Sequence, residues 1–302
     1  MKKRLRLSAI MVISCALALA SCGENPGANG DRQPQQTAPK PALWELASAD
    51  GTVEGWLFGT IHSLPDGTNW ETELLSDTID DADLLIVEIA ALEDKAAMAQ
   101  VFARLARTDG LPPLSSRVPA GDQAALRDML AAGSYSDNDF AATESWAAAL
   151  MLAQGSRGGN PANGVDRALL RRFEGRPIRE LEGAAQQLGI FDSLPESDQR
   201  DLLSAVVQEG KDGSGKSAKL ARIWRSGDME QLARENTRGL LADPGLRTAL
   251  LVERNDDWAR QLAEMLPAVP TAMIAVGAVH MAGPEGLPAL MRQRGYTVTR
   301  IQ

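Results

Sequence analysis

The chain has 302 residues and a formal net charge of −9, from 31 Lys and Arg against 40 Asp and Glu. That acidic balance, with no basic stripe, excludes nucleic acid as an electrostatically captured partner. The two cysteines, Cys15 and Cys22, both precede the expected folded region, which excludes disulfides, thiol nucleophiles and cysteine metal sites there.

Residues 1–21 read as a leader. Lys2, Lys3, Arg4 and Arg6 precede an apolar run from about Ile10 to Ala20, too short to span a bilayer as a mature helix. The run ends in Leu19-Ala20-Ser21-Cys22, which resembles the bacterial lipobox and implies cleavage before Cys22 and lipidation of Cys22. An ordinary cleaved signal peptide with a stray cysteine is the alternative. A bacterial lipoprotein carries more than one acyl chain, enough for a stable anchor. Gly23, where an Asp would favour inner-membrane retention, points to the outer membrane. The expected location is thus the cell envelope, lipid-anchored and facing the periplasm. Losing the leader leaves 27 basic against 40 acidic residues. Residues 22–41, the anchored cysteine and a stretch rich in Gly, Pro, Gln and Asn, read as a flexible tether with a reach of about 24 Å.

Residues 42–302 are expected to form one domain. Leu43 to His62 reads as a β-hairpin turning at Asp50-Gly51. Glu71–Ala82 reads as a short amphipathic helix, and Asp83–Ala90 as a strand buried on both faces with one charge, Glu88. From about 92 to 267 the pattern is mostly helical, with helices over Glu93–Arg107, Gly121–Ala132, Asp137–Gly155, Gly164–Glu174, Ala184–Asp192, Glu196–Glu209, Ser217–Ser226, Met229–Leu241 and Gly245–Leu266. Arg176–Leu181 interrupts this as a strand, and Lys211–Ser217 as a flexible break. The end returns to strand, helix and strand, over Thr271–His280, Pro284–Arg294 and Tyr296–Ile301. The fold class expected is α/β (α+β): a mixed central sheet from the N- and C-terminal parts, with the large helical insertion packed over it as a cap.

Both histidines of the chain follow a glycine by three residues, in Gly59-Thr60-Ile61-His62 and Gly277-Ala278-Val279-His280. Each sits where an apolar strand gives way to a loop, and Glu88 lies near the end of a third such strand. Ligand sites gather at strand ends in α/β sheets, so neighbouring strands with matched ends would bring His62, Glu88 and His280 together. Two imidazoles and a carboxylate suit a divalent metal, Mn, Co, Zn or Fe, with a position open for water. The other reading is two structural histidines hydrogen-bonded at strand ends, with Glu88 turned outward or paired with an arginine such as Arg254.

GTIH, LIVEIA, GVDRALL, RELEGAAQQL, ERNDDWARQL and AVGAVHMAGPEGLPALMRQRGYTVTRI together resemble the TraB/PrgY/GumN family over essentially all of residues 43–302. The resemblance implies an EreA/ChaN-like architecture and an active site of His62, Glu88 and His280. Asp166, Glu182, Arg254 and Asn255 fall in recurrent segments and are expected to support those three. The related Tiki proteins are membrane-tethered metalloproteases, which implies a metal-dependent hydrolase, first of all a peptidase, with a peptide or small-molecule substrate. A non-catalytic lipoprotein that binds haem, a metal or a peptide is the alternative, and an envelope-assembly role with a vestigial site is a third. Gly183-Ala184-Ala185-Gln186 departs from the Thr/Glu-rich pattern the family often has there, which implies a different specificity if that helix lines the cleft.

Overall fold

The computed structural model describes residues 38–302, apart from Glu93, Arg157, residues 212–214 and the side chains of Ser156 and Lys216. The leader, Cys22 and most of the tether lie outside the described residues.

Six strands form one mixed sheet: β1 (Leu43–Ala47), β2 (Val53–Thr60), β3 (Leu84–Val87), β4 (Ile178–Glu180), β5 (Ala272–Gly277) and β6 (Thr297–Arg300), in the order β4-β3-β5-β2-β1-β6. The strands β4, β3, β5 and β2 run parallel to one another, and β1 is antiparallel to both β2 and β6. The helices are α1 (Glu73–Asp81), α2 (Lys95–Leu105), α3 (Gln123–Ala132), α4 (Ser145–Ser156), α5 (Val165–Arg172), α6 (Gly183–Asp192), α7 (Glu196–Lys211), α8 (Gly215–Ser226), α9 (Met229–Glu235), α10 (Pro244–Arg247), α11 (Glu253–Met265) and α12 (Leu287–Gln293). Among the described residues none is long and apolar enough to cross a membrane.

The buried strands alternate their side chains between two apolar layers. On one face Phe58, Leu85, Val87 and Met273 meet α1, α5 and α8 through Leu75, Ile79, Leu169 and Trp224. On the other, Leu57, Ile86, Ile274 and Val276 meet α11 and α12 through Trp258, Leu262, Leu287 and Met291. A third core contains no strand residue and joins α3, α4, α6 and α7 through Leu130, Trp146, Leu188 and Leu203. So the segment expected to be a cap divides. Part of it is a cap with its own core, while α5, α8, α11 and strand β4 belong to the layers of the sheet.

Three expected elements change form. The helix expected over Asp137–Gly155 is a 3₁₀ turn, Asp137–Phe140, followed by α4. The break is where the buried Arg117 guanidinium takes the Phe140 and Thr143 carbonyls that a continuous helix would use. The helix expected over Met229–Leu241 ends as α9 at Glu235, and Gly239–Ala242 forms a separate 3₁₀ turn. Gly239 has φ of +58°, which a continuing helix does not allow. The strand expected to run to His280 stops at Gly277, and Ala278–Met281 coils into a 3₁₀ turn that carries His280 inward.

Candidate functional site

The register of the parallel strands decides where the site forms. Thr60 pairs with Gly277 and Val87 with Ala275, so β2, β3 and β5 end nearly level. His62, Glu88 and His280 leave these ends within three residues. They converge on Gly277: a Cβ placed there would lie 3.2 Å from Glu88 Oε1, 3.6 Å from His280 Cδ2 and 3.9 Å from His62 Nε2. A Cβ here would crowd Glu88 and stand in ordinary contact with the two histidines.

His62 is held from α5. Val165 N donates to Ile61 O at 2.9 Å, and Gly164 lies so close to His62 O that a Cβ would come within 2.5 Å of it. This docking sets Asp166, in the first turn of α5, beside the histidine. Asp166 Oδ2 lies 2.8 Å from His62 Nδ1, and Thr60 Oγ1 donates to Asp166 Oδ1. Burial pushes the Asp166 carboxyl up, but His62 and the Thr60 hydroxyl outweigh it and hold it below the usual carboxylate range. An ionised carboxylate only accepts, so His62 carries its proton on Nδ1. The ring itself is 70 % exposed.

Glu88 follows β3 and is nearly buried. Its Oε1 accepts from Gly277 N at 2.7 Å, and its Oε2 accepts from Gln187 Nε2 at 3.0 Å and Arg254 Nη2 at 2.8 Å. Burial pushes its carboxyl up; His280, Arg254, His62 and the Gly277 N–H together bring it below the ordinary value. The pairing of Glu88 with Arg254, one of the readings open from sequence, is present, and Glu88 also lines a cavity of about 60 Å³ with His62, Asp166 and Gln187. The chain after β4 lies along Glu88, with Glu182 N and Gly183 N donating to Glu88 O at 3.2 and 3.0 Å. That is how Glu182 arrives beside it.

His280 is buried, with its ring centroid 4.5 Å from that of Trp258. Asn255 Oδ1 lies 2.6 Å from its Nδ1, and Arg254 Nη1 lies 3.2 Å from its Nε2. Burial pushes its pKa down to about 3, with Arg254 and His62 acting the same way against Glu88. The residues expected to support the three thus each touch one of them or Arg254: Asp166 at His62, Asn255 at His280, Arg254 at Glu88 and His280, and Glu182 at Arg254. The last contact is a two-point one, from Arg254 Nε and Nη2 to Glu182 Oε1 and Oε2 at 2.8 and 2.9 Å. One π turn, Thr248–Val252, precedes Arg254 and sets the angle from which it enters.

Thr60, Gln187 and Trp258 also belong to the site and were not singled out from sequence. Gln187 sits on α6, the helix whose sequence departs from the family pattern, and it does line the cavity.

As arranged, these residues do not fit the metal that the resemblance implies. Among the described residues no group of three or more His, Cys, Asp or Glu side chains could hold a metal ion. The Nε2 lone pair of His280 faces Arg254, and Glu88 Oε2 accepts from both Arg254 and Gln187, so a guanidinium already supplies the positive charge between them.

No curated protein and no solved structure matches the chain. The family model for the TraB/PrgY/gumN family matches residues 42–300, a span that contains every strand and helix described above, and the chain therefore belongs to the TraB/PrgY/gumN family.

Proposed function

We propose that the chain is a hydrolase of the cell envelope, acting on amide or ester bonds, with peptides as the substrate class. The observation that carries this is the His62–Asp166 contact of 2.8 Å at an exposed ring beside the cavity that Glu88 lines. A proton held on Nδ1 by a carboxylate leaves proton transfer to Nε2, the nitrogen nearest Gly277. In the reaction Nε2 takes a proton from the attacking water and returns it to the leaving group, while Asp166 keeps the ring's orientation and balances the imidazolium. Glu88, held by three donors, is a poor base. It serves by fixing Gln187 and Arg254 and by keeping the cavity polar.

The small cavity supports peptides over compact ligands. At about 60 Å³ it is well below the ~300 Å³ where pockets enclosing a whole small molecule begin, haem included. A substrate presenting one scissile group from an extended chain needs no more room. Lipid attachment through Cys22, with the domain facing the periplasm at the outer membrane, would set the enzyme among envelope peptides and proteins.

The test is cleavage of a peptide library by the purified protein and by His62→Ala. Parent cleavage with the variant reduced at least hundredfold supports the reading; equal rates, or no cleavage by a folded parent with or without Mn, Co, Zn or Fe, reject it. Palmitate labelling that persists in Cys22→Ala would reject the anchor.

A further inference from the structure

Arg254 has a complete set of partners. A guanidinium carries five N–H donors, and five acceptors surround this one: Glu182 Oε1 at 2.8 Å, Glu182 Oε2 at 2.9 Å, Glu88 Oε2 at 2.8 Å, Leu250 O at 3.3 Å and His280 Nε2 at 3.2 Å. The guanidinium carbon also lies 4.5 Å above the Trp258 ring. The ring thus contributes its face, while the Trp258 indole N–H has no hydrogen-bond partner among the described residues. Nothing in this arrangement leaves an Arg254 donor for a substrate.

The hydrogen-bond network also fixes the protonation of His280. Asn255 Nδ2 donates to Glu285 O at 2.7 Å. A carbonyl oxygen cannot donate, so the Asn255 amide can stand only one way round, with Oδ1 towards His280 Nδ1. That oxygen in turn accepts only, which puts the imidazole proton on Nδ1 and a lone pair on Nε2, facing Arg254. The two G-x-x-H histidines are therefore unlike. One is exposed and anchored by a carboxylate; the other is buried, anchored by an amide and turned onto an arginine.

We propose that Arg254 is the resident cation of this site, standing among Glu88, Glu182 and His280 where a divalent ion would otherwise be held, and that His280 is a positioning residue serving it as a neutral acceptor. The inference rests on the hydrolase reading for its functional meaning. Its test reads tautomer and metal occupancy, so the two can fail separately. Removing the guanidinium would leave two carboxylates and an imidazole lone pair around the vacated volume, a donor set suited to divalent metals.

The chain has only two histidines, so the full chain labelled with ring-¹⁵N histidine, carrying an affinity tag without histidine, gives two imidazole systems. With the two systems assigned by the one that is lost in His62→Gln, the expected result is that His280 shows a neutral ring protonated on Nδ1, whose ¹⁵N shifts do not move when one equivalent of Zn²⁺ is added. Arg254→Ala is expected to bind Zn²⁺ at least a hundredfold more tightly than the parent, and Arg254→Lys, which keeps the cation, to bind like the parent. A His280 ring protonated on Nε2, or a His280 Nε2 shift typical of coordination in the parent with Zn²⁺, would overturn the proposal. Should Arg254→Ala fail to fold, the parent spectra decide the matter alone.

Discussion

Replacing His280 with Gln should flatten the acid side of the stability profile. A free imidazole titrates near 6.5, whereas burial holds His280 at about 3 in the folded protein. Between those values the unfolded chain binds a proton that the folded chain refuses, so stability rises with pH across this window and is lost as pH falls. The groups facing the ring are Glu88, Arg254, His62, Asn255 and Trp258, and only Glu88 favours its protonation. At about 1.4 kcal/mol for each pH unit, the gap from 6.5 to about 3 corresponds to roughly 5 kcal/mol in full. By pH 5, with an unfolded value of 6.5, about 2 kcal/mol of it is gone relative to pH 7.5. Glutamine retains one donor for Asn255 and one acceptor for Arg254 but has no proton to gain. Urea unfolding of both proteins at intervals from pH 7.5 to 5 measures the difference. The variant should start less stable at pH 7.5 and lose about 2 kcal/mol less on acidification. Parallel profiles for the two proteins would mean that His280 is not held neutral by its surroundings, and the tautomer deduced for it would lose its support.

Four other outcomes follow from the same geometry. Asp166→Asn should lower kcat on any substrate found by 10²–10⁴-fold with KM little changed, since the amide can hold the wrong nitrogen of His62; steady-state kinetics checks this. Because the Asp166 carboxyl is held below its ordinary value of 3.8, its stabilisation is present above that pH and lost below it, so the stability gap between Asp166→Asn and the parent should narrow in acid. Glu182→Gln breaks a two-point ion pair whose carboxylate is 1 % exposed; a loss of ~3 kcal/mol or more is expected in urea unfolding. Gly59→Ala would set a Cβ 2.9 Å from Ala278 Cα, an overpacking cost of about 1–3 kcal/mol that calorimetry should register as a Tm lower by several degrees.

The sheet was legible because its strands are short apolar runs bounded by turn residues, and Asp50-Gly51 marks the hairpin between β1 and β2. The end of β5 was not, because Ala278 and Val279 continue the apolar run of the strand before them, and only the packing of Ala278 against Gly59 shows where extension stops. His62, Glu88 and His280 could be picked out because the sequence holds only two histidines and places one charge in an otherwise apolar strand. The interior of the site was less visible. Asn255 stands in line with Trp258, Ala259 and Leu262 on the buried stripe of α11, and a polar residue in such a stripe is a signal that a buried partner exists. Gln187 gives no such signal, being one of two adjacent glutamines on α6. That Arg254 engages five acceptors depends on two carboxylates 94 residues apart in the chain, Glu88 and Glu182, and no spacing rule reaches that far.

The repeated glycine spacing has a physical source in the pairing of β2 with β5. These strands run parallel, with Gly59 opposite Val276 and Thr60 opposite Gly277, so the two G-x-x-H segments leave the sheet side by side. Each glycine clears space for a neighbouring segment, Gly59 for the turn after Gly277 and Gly277 for Glu88. A side chain on Gly59 would strike Ala278 and Met281, on the turn that carries His280 inward, and one on Gly277 would press on Glu88 while reaching towards His62. The glycines are thus equivalent in kind, two smooth surfaces that let adjacent strand ends cross closely. The histidines are not, because what receives each ring differs: α5 brings a carboxylate to His62, and α11 brings an amide and a guanidinium to His280. A symmetric pair of motifs therefore delivers an asymmetric pair of imidazoles, one exposed where a substrate can reach it and one buried to hold a cation in place.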